Sequence, residues 1–213
     1  MKKKLTKAFL SAILFALIGA TPSFSADFFP VGDGYSWTYK GFMKDNPKKD
    51  LVVKATVVRR EMIDGKEYYY YSAPNVDVRF MVRTDENFGY MKIVKYPFPI
   101  LKFLTVDVYL TPEIKFIKFP YKVGDKWEQT INAKAALPPF GLDMKLKVNF
   151  EVMDSEKITL KGKEYEVFHV RMYRDEGRKE PHIEDNWFAE GLGFVRGETS
   201  EYFIELKDFE TGK

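Results

Sequence analysis

Apolar and polar residues alternate along most of this chain with a period of two, the period at which successive side chains leave opposite faces of a strand. The clearest run is Leu142, Met144, Leu146, Val148, Phe150 and Val152, interleaved with Asp143, Lys145, Lys147, Asn149 and Glu151. Val76, Val78, Phe80 and Val82 alternate in the same way with Asp77, Arg79 and Arg83. So do Leu104, Val106, Val108 and Leu110 with Thr105 and Asp107, and Tyr202, Ile204 and Leu206 with Glu205 and Lys207. One dry face and one wet face per strand is the signature of antiparallel sheet. No segment beyond the N-terminal run carries a convincing helical stripe.

Turn residues divide these runs with a mechanism. Asp64-Gly65 lies between Val57 to Met62 and Tyr68 to Tyr71, and Lys161-Gly162 between Ile158 to Leu160 and Tyr165 to Tyr173. Gly accepts the positive φ of tight hairpin turns, so both positions read as hairpins. Pro138, Pro139 and Gly141 separate two further strands, and Gly191 with Gly193 predicts a bulged turn between Asn186 to Phe188 and Phe194 to Arg196.

These markers recur. Phe29, Pro30, Gly32, Asp33 and Trp37 return as Phe119, Pro120, Gly124, Asp125 and Trp127, and each set is followed by Gly-Lys-Glu-Tyr, at Gly65 to Tyr68 and Gly162 to Tyr165. Asp85, Asn87, Phe88, Gly89 and Tyr90 are matched with Asp185, Trp187, Phe188, Gly193 and Phe194. Two copies are too few for an open solenoid, because each would leave a raw face. The pattern therefore predicts a single all-β domain over 26–213, an antiparallel sheet closed as a β-clam, barrel or sandwich. It would be built from two related halves, at about 28–95 and 118–197. Alternation alone does not separate barrel from sandwich. Tyr96 to Pro120, between the copies, is too apolar for a free linker and is expected to pack across both halves.

The N-terminus adds a destination. Lys2, Lys3, Lys4 and Lys7 precede an apolar run from Ala8 to Ala20, and Ser23-Phe24-Ser25 offers small residues for a signal peptidase. Residues 1–25 read as a secretory signal peptide, which places the mature protein in the periplasm or outside the cell. Removing this 25-residue leader with its four lysines from 213 residues at +3 leaves 188 at −1. The apparent basicity belongs to the leader, so no nucleic-acid partner follows from it. Cys is absent, which excludes disulfides and an acylated N-terminal cysteine.

Candidate chemistry is sparse. His169 and His182 are the only histidines. His182, Glu184 and Asp185 can be drawn as a metal constellation, but zinc sites take three or four N or S ligands, and a charged loop before a strand is the simpler reading. His169 shares a strand face with Tyr165, Arg171 and Tyr173 and reads as a satisfied structural imidazole. Asp33 and Asp125 invite a paired-carboxylate reading of the glycosidase kind, yet each sits beside Gly before a strand, where Asp caps turns. Glu67 and Glu164 follow hairpin glycines and read alike. No G-x-S-x-G, H-E-x-x-H or phosphate-loop pattern occurs, and no cofactor or metal is expected.

The aromatics divide between two readings. Tyr68 to Tyr71 put two rings on each strand face, where cross-strand pairs stabilise a sheet by roughly 0.2 to 1 kcal/mol each. Core packing is the first reading of these rings and of Tyr96 to Pro120. A groove or mouth lined by Tyr69, Tyr71, Phe98, Leu101 and Phe103 is the second, with an apolar or lipid-like small molecule or an envelope protein as partner.

Around Trp187, Phe188, Ala189, Glu190, Gly191, Leu192, Gly193, Phe194 and Val195 the chain resembles a group of uncharacterised exported bacterial proteins and lipoproteins. Their pattern is an early Pro, Gly and Trp block, a Gly-centred hairpin, and a closing aromatic, Ala, Gly, Gly, Val block. Pro120 to Arg196 carries it best, and the first copy lacks the Ala and double Gly. The resemblance implies a β-rich envelope domain and supplies no catalytic residues. Lipid-anchored members differ from this chain, which has no Cys. The combined expectation is an exported, non-enzymatic domain that binds an apolar ligand. A structural or protein-interaction module of the envelope is the alternative, and a carboxylate-dependent hydrolase is the remote one.

Overall fold

Each alternating run becomes a strand, and each strand pairs with its neighbours in sequence. The computed structural model describes residues 29–74, 78–97, 105–137, 140–175 and 181–212. The expected leader, and Phe98, Leu101 and Phe103, lie outside the described residues. The strands are β1 (Ser36–Met43), β2 (Asn46–Ile63), β3 (Lys66–Ala73), β4 (Val78–Thr84), β5 (Phe88–Pro97), β6 (Thr105–Lys118), β7 (Lys126–Leu137), β8 (Phe140–Leu160), β9 (Lys163–Asp175), β10 (His182–Ala189), β11 (Gly193–Glu198) and β12 (Tyr202–Glu210). All pairings are antiparallel, and β1 closes the circuit by pairing with β12, Ser36 opposite Glu210 and Met43 opposite Tyr202. The all-β expectation thus resolves into a closed up-and-down barrel of twelve strands. Closure leaves no unpaired sheet edge.

Odd-numbered strands all start at one end of the barrel, which the chain plugs with its own aromatics. Phe29 is buried, its ring 5.6 Å from Tyr71 and 5.6 Å from Phe116, and the Tyr71 hydroxyl donates to the Pro30 carbonyl at 3.1 Å. Tyr121, on the segment between β6 and β7, stacks within 5.3 Å of Phe168 and 6.2 Å of Phe188. Trp37 packs 5.2 Å from Tyr71 across β2, where its cross-strand partner is the small Ala55. Its indole Nε1–H donates to the Leu192 carbonyl at 2.8 Å, tying the start of β1 to the β10–β11 turn.

The turns at this end are tight. Asp64-Gly65 (φ 52° and 74°) and Lys161-Gly162 (φ 51° and 78°) have two consecutive positive φ values, the hairpin geometry expected of them. The loops before β1 and β7 are also bonded alike. Gly34 N–H donates to Val57 O and Val57 N–H to Tyr35 O, at 3.3 and 2.9 Å, while Gly124 N–H donates to Val152 O and Val152 N–H to Asp125 O, at 2.8 and 2.9 Å. Both long strands bulge just beyond, at Val57/Arg59 and Val152/Asp154. These bonds correct the residue matching drawn from sequence. Gly34, not Gly32, is the counterpart of Gly124, so Asp33 and Asp125 do not occupy equivalent places. Asp85 caps its own turn by accepting from Asn87 and Phe88 N–H, both at 2.9 Å, whereas Asp185 sits inside β10. The shared Gly-Asp dipeptide misled here, because the constant offset of 90 that relates Phe29, Pro30 and Trp37 to Phe119, Pro120 and Trp127 selects Gly34 rather than Gly32.

Tyr96 to Pro120 was expected to bridge the halves; its described part forms the end of β5 and all of β6, and β6 pairs with β5 and β7. The β6–β7 ladder is short. Val108 to Thr111 pair with Ala135 to Asn132, and beyond them side chains take over. Gln129 accepts from Lys115 N–H at 2.9 Å and donates to Glu113 O at 2.6 Å, and Trp127 Nε1–H donates to Lys115 O at 2.8 Å.

Inward positions are apolar and outward ones charged. On β8, Leu146, Val148, Phe150 and Val152 are buried, while outside, Lys126–Glu151 (2.9 Å), Lys147–Glu128 (3.0 Å) and Lys134–Asp143 (3.1 Å) pair across β7 and β8. A membrane-spanning barrel has the opposite arrangement, with an apolar outer band. Among the described residues no helix is long and apolar enough to cross a membrane.

The plug makes a testable demand at the β10–β11 turn. Gly191 and Gly193 both have positive φ, 75° and 74°, but a Cβ on Gly193 would lie 3.1 Å from Cδ2 of Phe29, whereas one on Gly191 meets nothing within 4 Å. Gly191→Ala should lose about 1 to 3 kcal/mol, the backbone cost alone. Gly193→Ala should unfold at a clearly lower temperature, and combining it with Phe29→Ala should give less than the sum of the two losses. Equal thermal midpoints for the two glycine variants would show that Phe29 does not press on this turn.

Candidate functional site

The sequence-predicted histidine lies in a concentrated polar cluster on the barrel wall, built on facing positions of β8, β9 and β10. Register puts Trp187 opposite His169, Asp185 opposite Arg171, and Asp154 opposite His169 on the other side. His169 Nε2 lies 2.6 Å from Asp185 Oδ1 and Nδ1 lies 3.4 Å from Asp154 Oδ2. Arg171 donates to both oxygens of Asp185, at 2.7 and 3.3 Å. Burial raises the Asp185 pKa, but the hydrogen bonds from Arg171 and His169 and their charges outweigh it and hold the carboxyl below its ordinary value. The imidazole stacks on Trp187 at 4.3 Å and 9°, and the Arg196 guanidinium lies 5.1 Å over the same indole while pairing with Glu156 at 2.8 Å. Both ring nitrogens and the indole are thus committed to neighbours, the arrangement of a satisfied structural histidine.

The other sequence candidates separate. His182 opens β10 with Nε2 3.2 Å from Glu184, while Asp185 is turned to Arg171 and His169, so the three residues do not converge. Among the described residues no group of three His, Asp or Glu side chains is placed to hold a metal ion. Asp33 faces Arg60 at 3.1 Å and Asp125 faces Lys118 at 2.9 Å. Glu67 lies 3.6 Å from Arg60, and Glu164 lies 3.5 Å from Lys157. Each carboxylate has a cation beside it.

Tyr71 is enclosed in the core, stacked on Phe80 at 5.1 Å, and burial pushes its hydroxyl pKa up. Tyr69 is half-buried, packs against the core and donates to Glu67 at 3.3 Å. Burial, and then the Glu67 carboxylate, raise the pKa of that phenol. The sequence reading missed the Asp154, Asp185 and Trp187 partners of His169. Strand register would have found them, since Asp154 and Trp187 lie opposite His169 and Asp185 lies on the diagonal, opposite Arg171.

Inside the barrel the side chains are graded by size. Trp37, Phe29, Tyr71, Phe119, Tyr121 and Phe188 fill the plugged end. Toward the opposite rim the buried inward positions among the described residues include Ala73 at the end of β3, Val106 and Val108 at the start of β6, and Ala133 and Ala135 near the end of β7, with Leu110 and Leu146 next to them.

No protein-family model matches the chain, and no curated protein matches it. Among solved structures it is similar to a proposed lipoprotein from Parabacteroides distasonis, with 17% identity over 86% of this chain and 98% of that one and a TM-score of 0.47. It is also similar to the hypothetical lipoprotein YmcC from Escherichia coli, with 10% identity, 88% and 94% coverage and a TM-score of 0.47. A third is a proposed exported protein with a YmcC-like fold from Bacteroides fragilis, with 12% identity, 86% and 99% coverage and a TM-score of 0.49.

The lowered pKa of Asp185 fixes the sign of a pH effect. A carboxyl depressed in the folded state contributes stability above its unfolded pKa, near 4, and loses it as pH falls through the folded value. The melting temperature of the wild type should exceed that of Asp185→Asn most at neutral pH, and the gap should narrow steadily below about pH 4. A gap independent of pH would remove the charge from the explanation.

Proposed function

We propose that the protein is an exported, non-enzymatic binding domain of the bacterial envelope, and that it takes an apolar or lipid-like ligand into the barrel from the rim opposite the plug. The observation that carries this reading is the size gradient among the described residues: rings at one end, and alanines, valines and leucines toward the other. Small inward side chains on a curved antiparallel wall leave width for a chain-like apolar guest, which large rings would occupy. The leader at 1–25 and its cleavage near Ser25 belong to the same reading. So does descent from two related halves, supported by the matched bonding of Gly34 and Gly124 and by Trp37 and Trp127 following each by three residues. The committed state of His169 and of the candidate carboxylates favours binding over hydrolysis.

The test uses the environment-sensitive probe N-phenyl-1-naphthylamine. Titration should give saturable fluorescence, and Ala133→Phe combined with Ala135→Phe should weaken binding by about tenfold, equivalent to roughly 1.4 kcal/mol. Lys134→Ala, on the same strand and facing out, should leave it unchanged. Ala73→Phe supplies a second filling variant should the first fail to fold. Equal probe affinity in a folded filling variant, or no saturable binding by the wild type, would overturn the reading and favour a structural or protein-interaction module.

A further inference from the structure

We infer that a groove at the plugged end of the barrel binds an alkylammonium group, held between aromatic rings and the carboxylates of Glu166 and Glu190. The groove has a volume of about 500 Å³ and lies where the β6–β7 segment, the start of β9 and the β10–β11 turn meet. Tyr165 and Phe168, both partly exposed, give it rings over the buried Tyr121, and Glu164, Glu166 and Glu190 give it negative charge. Glu164 has Lys157 beside it, but Glu166 and Glu190 take part in no ion pair among the described residues. That sets them apart on a wall where Glu128, Glu151, Glu156 and Glu205 are all paired.

Rings and unpaired carboxylates in one groove select for a cation. An ammonium is attracted by the ring face and by the carboxylates together, and gains more as water is excluded. A neutral apolar guest would strip water from two carboxylates without compensation, and an anion would be repelled. The chain already shows the contact: Lys163, itself lining the groove, holds its ammonium 4.9 Å over the Tyr165 ring. A second groove at the opposite rim, of about 420 Å³, makes the contrast. Its charges are spent internally, Lys44 on Glu198 at 2.8 Å, His182 on Glu184 at 3.2 Å, and Asp185 on Arg171 and His169.

Calorimetric titration of the full protein with spermidine, and separately with acetyl-trilysine amide, tests the site and distinguishes a free polyamine from a lysine-bearing peptide. One or both should bind saturably, more weakly as salt is raised. Glu166→Gln with Glu190→Gln should weaken binding by about tenfold, and Tyr165→Leu should weaken it with the carboxylates intact. Lys163→Ala removes the resident ammonium and should tighten binding several-fold, a sign that a structural role would not produce. Glu128→Gln, on the β7 wall, should have no effect. The site is refuted by the absence of saturable heat with both probes, by unchanged affinity in the folded double variant, or by an equal loss in Glu128→Gln, which would reveal only diffuse charge.

Discussion

Twelve strands in a closed circuit enclose more width than a single layer of side chains fills, since at about eight strands the inward residues already meet. How that surplus is occupied governs the rest of the molecule. Here the chain fills one end with itself: Phe29 and Tyr121 come from segments outside the strands and insert among rings contributed by β3, β6, β9 and β10. The Trp37 bond to Leu192 spans 155 residues of sequence, so the plug forms only when the first and last thirds of the chain are together. Its packing is therefore bound to late, long-range closure rather than to any hairpin alone.

Much of this architecture was legible as sequence. The strict alternation over Leu142 to Val152 gave β8 its inner and outer faces, and Asp64-Gly65 and Lys161-Gly162 gave two turns with their backbone geometry. What stayed hidden was everything that depends on partners distant in the chain. Nothing local says that β1 returns to β12, and alternating residues look the same in a barrel and in a sandwich. The likeness of Gly34 to Gly124 was obscured because the dipeptide Gly32-Asp33 matches Gly124-Asp125 by residue type, although the spacing to Phe29, Pro30 and Trp37 fits Gly34. The site was less legible still. Tyr71 reads as groove or core with equal ease until Phe29 is seen to cover it, and Glu166 and Glu190 are brought near one another only by a turn and a strand start 24 residues apart.

The outer wall follows a different logic from the interior. Opposite charges face one another across β7 and β8, and Arg171, Asp185 and His169 continue the pattern across β9 and β10. Exposed pairs of this kind each add at most about 1 kcal/mol, so their main effect is to set register and keep the wall wet. The Trp187 indole lies on this part of the outer wall between His169 and Arg196, and both neighbours are polar groups that shield it. The wall therefore holds an aromatic without presenting it as a sticky surface.

The β6–β7 junction differs from the long β5–β6 and β7–β8 ladders on either side of it. Four residues on each strand pair through the backbone, and then Gln129 and Trp127 stand in for the missing ladder with side-chain bonds. A seam stitched by side chains has fewer links to undo than one zipped along its length, and it lies where the first six strands meet the last six. Cohesion along this stretch thus rests on the identities of two side chains, Gln129 and Trp127, where a ladder would draw on backbone groups that every residue but proline supplies.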